Sequence, residues 1–228
     1  MNDIFIYPKT FSNHIYICFS EKASIISFSL GILGAILCIS LGTITDKIIG
    51  YYFGFIAFMQ LIEYLLWTHQ KCDNYNRTIS FIGMILNNIQ PLVLGLIIFL
   101  VNPENKNKKW ITLAMFLYLC VIIPYSAQFI NKPDQCTLKN EKNKHLMWQW
   151  NLMDYTVFVY SVYLITICVI CILGFPKYGI YAAIVNAFTY TTSLYFYPQN
   201  VVGALWCYYS VFLPIIYYFI RIMFYTKL

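Results

Sequence analysis

Phe58-Met59-Gln60-Leu61-Ile62-Glu63-Tyr64-Leu65-Leu66-Trp67 is an apolar stretch interrupted by one amide and one acid. It lies inside a longer run, 48–69, that can cross a bilayer. About 20 apolar residues at 1.5 Å rise span the hydrocarbon core. Glu63 is the one carboxylate set deep within such a run. A charge at that depth costs several kcal/mol, so an ionisable group there is a functional-site candidate, weighed against a structural role.

Outward from this run the chain repeats the same pattern. Seven segments qualify as spans: 25–44, 48–69, 79–101, 110–130, 155–175, 180–197 and 204–224. The sixth is short and ends in Tyr195-Phe196-Tyr197. With 60% hydrophobic and 11% charged residues the chain sits far from a soluble domain, which carries about 25% charge. The expected fold is all-α, a polytopic membrane bundle of seven transmembrane helices over residues 25–228. Residues 1–24 form an N-terminal segment, with Phe11, Ile15, Tyr16 and Phe19 amphipathic enough to lie in the interface. No cleavable signal is expected there, because the patch Ile4-Phe5-Ile6-Tyr7 is short and stopped by Pro8. Short links make sequential helices antiparallel neighbours; only 131–154 is long.

The net charge of +6 lies in the links between spans, which excludes a nucleic-acid-binding stripe. Lys and Arg divide almost evenly between the two sides and do not orient the chain. Two other features favour the N-terminus outside or lumenal and the C-terminus in the cytosol. Asn76-Arg77-Thr78 is a glycosylation acceptor pattern, making Asn76 a candidate glycan site. Cys72 and Cys136 sit in links on the same side, where an oxidising compartment would join them in a disulfide. Cys168 and Cys171 imitate a metal or redox pair, but no His accompanies them at that depth. They read as small apolar packing residues, and neither a metal nor a cofactor is expected.

Depth counting groups the polar residues. From His69, Glu63 lies roughly 9 Å and Gln60 roughly 13 Å deep. On the third segment, counted from Ile79, Asn87 is at roughly 12 Å, Asn88 at 13 Å and Gln90 at 16 Å. Pro91 weakens that helix and frees a carbonyl for polar side chains. Tyr125, Ser126 and Gln128 join from the fourth segment, Asn186, Thr189 and Tyr190 from the sixth, and Trp206 from the seventh. Trp67, Trp110, Trp148 and Trp150 read as interfacial anchors, and Asp154 as the cap of the fifth span.

Three readings of this layer stand side by side. It is a pocket for an ion, proton or small solute opening on the N-terminal side; or structural glue between helices; or an enzyme site with Glu63 as general acid or base. A pocket that transports would suit a homo-oligomer. A retinal protein is excluded, since residues 204–220 hold no lysine. Gln60-x-x-Glu63-x-x-x-Trp67 together with Trp206-Cys207 resembles an uncharacterised family of seven-helix proteins of large DNA viruses and algae. That resemblance implies a host or viral membrane and no particular activity.

Overall fold

The computed structural model describes residues 20–140, 145–175, 177–196 and 199–225. The expected interfacial segment lies outside the described residues up to position 19. The first helix, α1, runs Glu21–Ser40, four residues earlier than its apolar pattern begins. Its start is set by Ser20, whose hydroxyl accepts the Ala23 N–H at 3.2 Å. α2 follows as Ile44–Thr68, α3 as Asn74–Asn88, α4 as Gln90–Val101 and α5 as Lys108–Ile130. The long link carries a two-residue hairpin, β1 Leu138–Lys139 against β2 Leu146–Met147, and a 3-10 turn, Gln149–Leu152. α6 (Thr156–Gly174), α7 (Gly179–Phe196), α8 (Gln199–Ser210) and α9 (Leu213–Tyr225) complete the chain.

Five stretches are long and apolar enough to cross a membrane: α1, α2, α5, α6 and Trp206–Phe224 across α8 and α9. The pair α3–α4 makes a sixth, bent by 53°. The bend sits at Ile89, just before Pro91, whose ring nitrogen cannot continue the helical ladder. The hydroxyl of Tyr118 on α5 donates to the Asn88 carbonyl at 2.7 Å and so helps satisfy the broken turn. α7, expected as the sixth of seven spans, is not among the stretches of sufficient apolarity. Asn186 and the run Thr189 to Ser193 dilute it. The architecture is an all-α bundle of five to six clear membrane helices with α7 packed along α6 and α8.

α2 is the axis. Half of its apolar window is buried, against 22–39% for the other four. It touches α1, α3, α4, α8 and α9, and α9 returns to α1. Small residues permit the closest approach: a Cβ added at Gly50 would lie 2.7 Å from the Ala35 carbonyl oxygen of α1.

At the first turn of α2 lies a second buried carboxylate. Asp46 is 0% exposed. It completes a capping box with Thr43, accepts the Tyr217 hydroxyl at 2.5 Å, and pairs with Arg221 Nε at 3.3 Å. The link between the first two spans therefore belongs to the helix and ties α2 to α9. Asp46→Ala is expected to cost about 2–4 kcal/mol, discounted for the partly exposed Arg221. Thermal unfolding in detergent checks this, with Asp46→Asn falling between variant and parent because it keeps a capping oxygen. A variant melting with the parent would show the contact to be idle.

Candidate functional site

The end of the bundle that carries the long link is closed by that link. Cys72 and Cys136 form a disulfide with Cα atoms 5.5 Å apart, so residue 136 is held beside the α2–α3 turn. From there the chain turns inward. Trp148 and Trp150, read from the sequence as interfacial anchors, are both 0% exposed. Their rings stack at 4.8 Å and pack in one cluster with Met59, Ile62 and Leu66 of α2, Met84 of α3 and Cys207 of α8. Two glycines make the room. A Cβ at Gly83 would stand 3.2 Å from the Trp150 ring, and one at Gly203 3.0 Å from the Trp148 ring. The expected opening toward the N-terminal side is thus filled by a tryptophan plug. The reason is the hydrophobic drive to bury two indoles where small residues leave space.

Asn76 holds the plug's base. It is 0% exposed, and its amide nitrogen donates to the carbonyls of His69 at 2.9 Å and Thr137 at 3.1 Å. Its oxygen accepts the Thr137 N–H at 2.9 Å. The expectation of a glycan here is corrected: the nitrogen a sugar would occupy is committed to two carbonyls inside the protein. Orientation then rests on the disulfide alone among the two features that favoured it. The neighbouring Asp73 caps α3; the Asn76 backbone N–H and the His69 ring hold its carboxyl below the usual range.

Beneath the plug the polar layer divides into two halves. One half is fully paired. Asn87 donates to the Tyr160 hydroxyl at 2.9 Å and to Asn88 at 3.2 Å, and Asn88 donates to Ser126 at 3.0 Å. Tyr163 donates to the Gln90 oxygen, while the Gln90 nitrogen points at Cys207 Sγ, 3.9 Å away. These bonds link α3, α4, α5, α6 and α8.

The other half is not paired. Gln60 is 0% exposed and Glu63 1%. Among the described residues no other helix offers a hydrogen bond to either polar atom of the Gln60 amide or to Glu63 Oε1; the amide and the acid have only each other as polar neighbours, one turn apart. Neighbouring charges give the acid no counter-ion, since no ion pair among the described residues includes it. Cys207 of α8 packs in the same cluster as Met59 and Ile62, which flank the two polar residues in the chain. The indole nitrogens of Trp148 and Trp150 above are likewise buried donors without partners.

The remaining candidates scatter. Tyr125 donates to the Trp150 carbonyl and shares a 2.9 Å hydrogen bond with Thr156, so it anchors the plug. Gln128 is exposed and lies off the site, because the inward face of α5 runs through Tyr118, Ile122, Tyr125 and Phe129. Asn186 bonds back to its own helix at Ala182 O, 2.8 Å. Trp206 donates to Thr189 at 3.0 Å and packs edge-on against Tyr163 and Tyr190. Asp154 caps nothing; Tyr155, with φ 63°, precedes α6 without a side-chain cap. Among the described residues Cys168 and Cys171 join no metal cluster. Asp46 and the plug were invisible to pattern reading, the first looking like a link residue and the second like an anchor.

The fold and site define the class: a polytopic membrane protein with a desolvated acid at its centre. The chain matches no family model, no curated protein and no solved structure.

Proposed function

We propose that this integral membrane protein binds a small polar solute, ion or proton at Gln60–Glu63 and passes it on, with Glu63 as the proton-exchanging group. α7 serves as the seventh span in this reading, and the side bearing the disulfide faces an oxidising compartment. One observation carries it: among the described residues, three polar atoms on one turn of the central helix are buried with no hydrogen bond to any other helix. Buried polar groups are ordinarily hydrogen-bonded, and each orphan costs roughly 1–3 kcal/mol. A bound solute or water satisfies donor and acceptors together at this place.

The paired half favours a second role, because Asn87, Asn88 and Gln90 join five helices with little left over. Glue and pocket thus occupy different halves of one layer. Glu63→Gln keeps shape and hydrogen bonding but removes the titrating group. The expected result is a variant that melts with the parent in detergent and loses the pH dependence of urea uptake into liposomes from about pH 5 to about pH 8. Unchanged uptake across that range would remove Glu63 from the mechanism. A bundle that unfolds with Glu63→Ala and survives Glu63→Gln would assign the acid to glue.

A further inference from the structure

With the end of the bundle plugged, access to Gln60–Glu63 needs another route, and the side of the bundle carries a cleft. A cleft of about 60 Å³ lies between α6, α7 and α8. Asn151, Thr156, Tyr160, Ser161, Tyr190 and Gly203 line it, together with three aliphatic residues. Its volume suits about four water-sized bodies. Among the described residues, none that lines it carries a charge.

Two helices lead from the cleft to the acid. On α8, Gly203 lines the cleft and Cys207 is four residues on, one turn deeper on the same face. On α6, Tyr160 lines the cleft and Tyr163 is three residues on, again one turn deeper. Tyr163 bonds Gln90, Gln90 reaches Cys207, and Cys207 packs in one cluster with Met59 and Ile62, the residues next to Gln60 and Glu63 in the chain. One hydroxyl bonds both a cleft-lining residue and the inner polar layer. Tyr160 donates to Asn151 at 2.5 Å on the cleft side and accepts from Asn87 at 2.9 Å on the inner side. Rotating that phenol exchanges two hydrogen bonds and opens one layer to the other.

We propose that this cleft is the entrance to the Gln60–Glu63 site and that it admits small uncharged hydrogen-bonding molecules of the size of urea or glycerol. The lining fits that class. Amide and hydroxyl groups can donate or accept, so a neutral polar solute finds partners in either sense. An ion would enter a narrow, desolvated passage with no opposite charge to meet it, at a cost of several kcal/mol. The proposal rests on the reading of Gln60–Glu63 as a binding site, but access to that layer is measured separately.

Cys207 is a native reporter. In a variant keeping the Cys72–Cys136 disulfide and Cys207, with Cys18, Cys38, Cys120, Cys168 and Cys171 replaced by alanine, modification by neutral iodoacetamide is compared with anionic iodoacetate. Relative to glutathione in the same buffer, Cys207 is expected to favour iodoacetamide by about tenfold or more. Val157→Trp or Ser161→Phe, each filling the cleft from its exposed lip, is expected to slow iodoacetamide by about tenfold at unchanged melting temperature. Two fillers guard against one that fails to fold. A Cys171-only variant, buried away from the cleft, should react more slowly than Cys207. Cys207 inert to iodoacetamide, no preference over iodoacetate, or rates indifferent to both fillers would each overturn the proposal. Cleft-dependent labelling with pH-independent uptake in Glu63→Gln would leave the entrance standing and remove only the role of Glu63.

Discussion

Trp148→Ala is expected to destabilise the bundle by about 3–5 kcal/mol, the range for deleting a large aromatic from a packed core. For a chain of this size that lowers the melting temperature by about 10 °C or more. The indole is 0% exposed and stacks on Trp150, which meets Phe129 edge-on at 6.1 Å. Its removal leaves a void between α2 and α8 that helices tied at both ends cannot close. An interfacial anchor would behave otherwise, since its ring sits among headgroups and its loss costs little packing. Trp148→Phe should recover part of the loss, because the indole nitrogen has no protein partner to forfeit. Gly203→Val should imitate the damage from the opposite side, as its Cβ would press on the same ring. Thermal unfolding of detergent-purified variants measures all three. A melt for Trp148→Ala within a degree or two of the parent would mean that the plug is not packed as described.

Asn76→Ala is expected to cost about 2–4 kcal/mol, since it removes the Asn76 donor from two carbonyls and leaves the Thr137 N–H with the Ser80 hydroxyl alone. Those groups lie in the buried joint between the α2–α3 turn and the hairpin strand after Cys136. Asn76→Asp tests the sense of the bonds: it keeps the acceptor for Thr137 N–H and loses both donations. It should therefore fall between Asn76→Ala and the parent. Glycosidase treatment of the protein made in a secretory host should leave its gel mobility unchanged, because a glycan on that nitrogen cannot coexist with the joint. A glycan released from folded protein would contradict the buried Asn76 directly.

Much of the bundle could be read from the chain. The apolar runs marked α1, α2, α5, α6 and the α8–α9 stretch, because backbone groups in lipid must bond within their own segment. Depth counting placed Gln60 and Glu63 opposite Asn87 and Gln90, and the four are buried on adjoining helices α2, α3 and α4. The break at Ile89 followed from Pro91, and link position alone brought Cys72 and Cys136 together as candidates. What misled was local pattern without tertiary context. Asn-Arg-Thr matches an acceptor motif wherever its side chain points. Trp-Gln-Trp before a span suits a headgroup belt as well as a plug. Asp46 follows Thr45 like any link residue until Arg221, 175 positions away, arrives beside it. Gln128 lies on the same side of the membrane as the polar layer but on the outer face of its helix.

Composition and periodicity by themselves determined that this is an all-α membrane protein with one acid buried deep in an apolar run. Apolar runs of about 20 residues satisfy their backbone in hydrocarbon as helices, and a lone carboxylate is conspicuous there. Only the tertiary structure decided which polar groups find partners. Asn87, Asn88 and Gln90 meet hydroxyls and a thiol from other helices, while Gln60 and Glu63 have only each other on one turn and, among the described residues, meet no polar group of another helix. Hydrogen bonds of that kind depend on a few ångströms and on direction, quantities set by how helices distant in sequence pack.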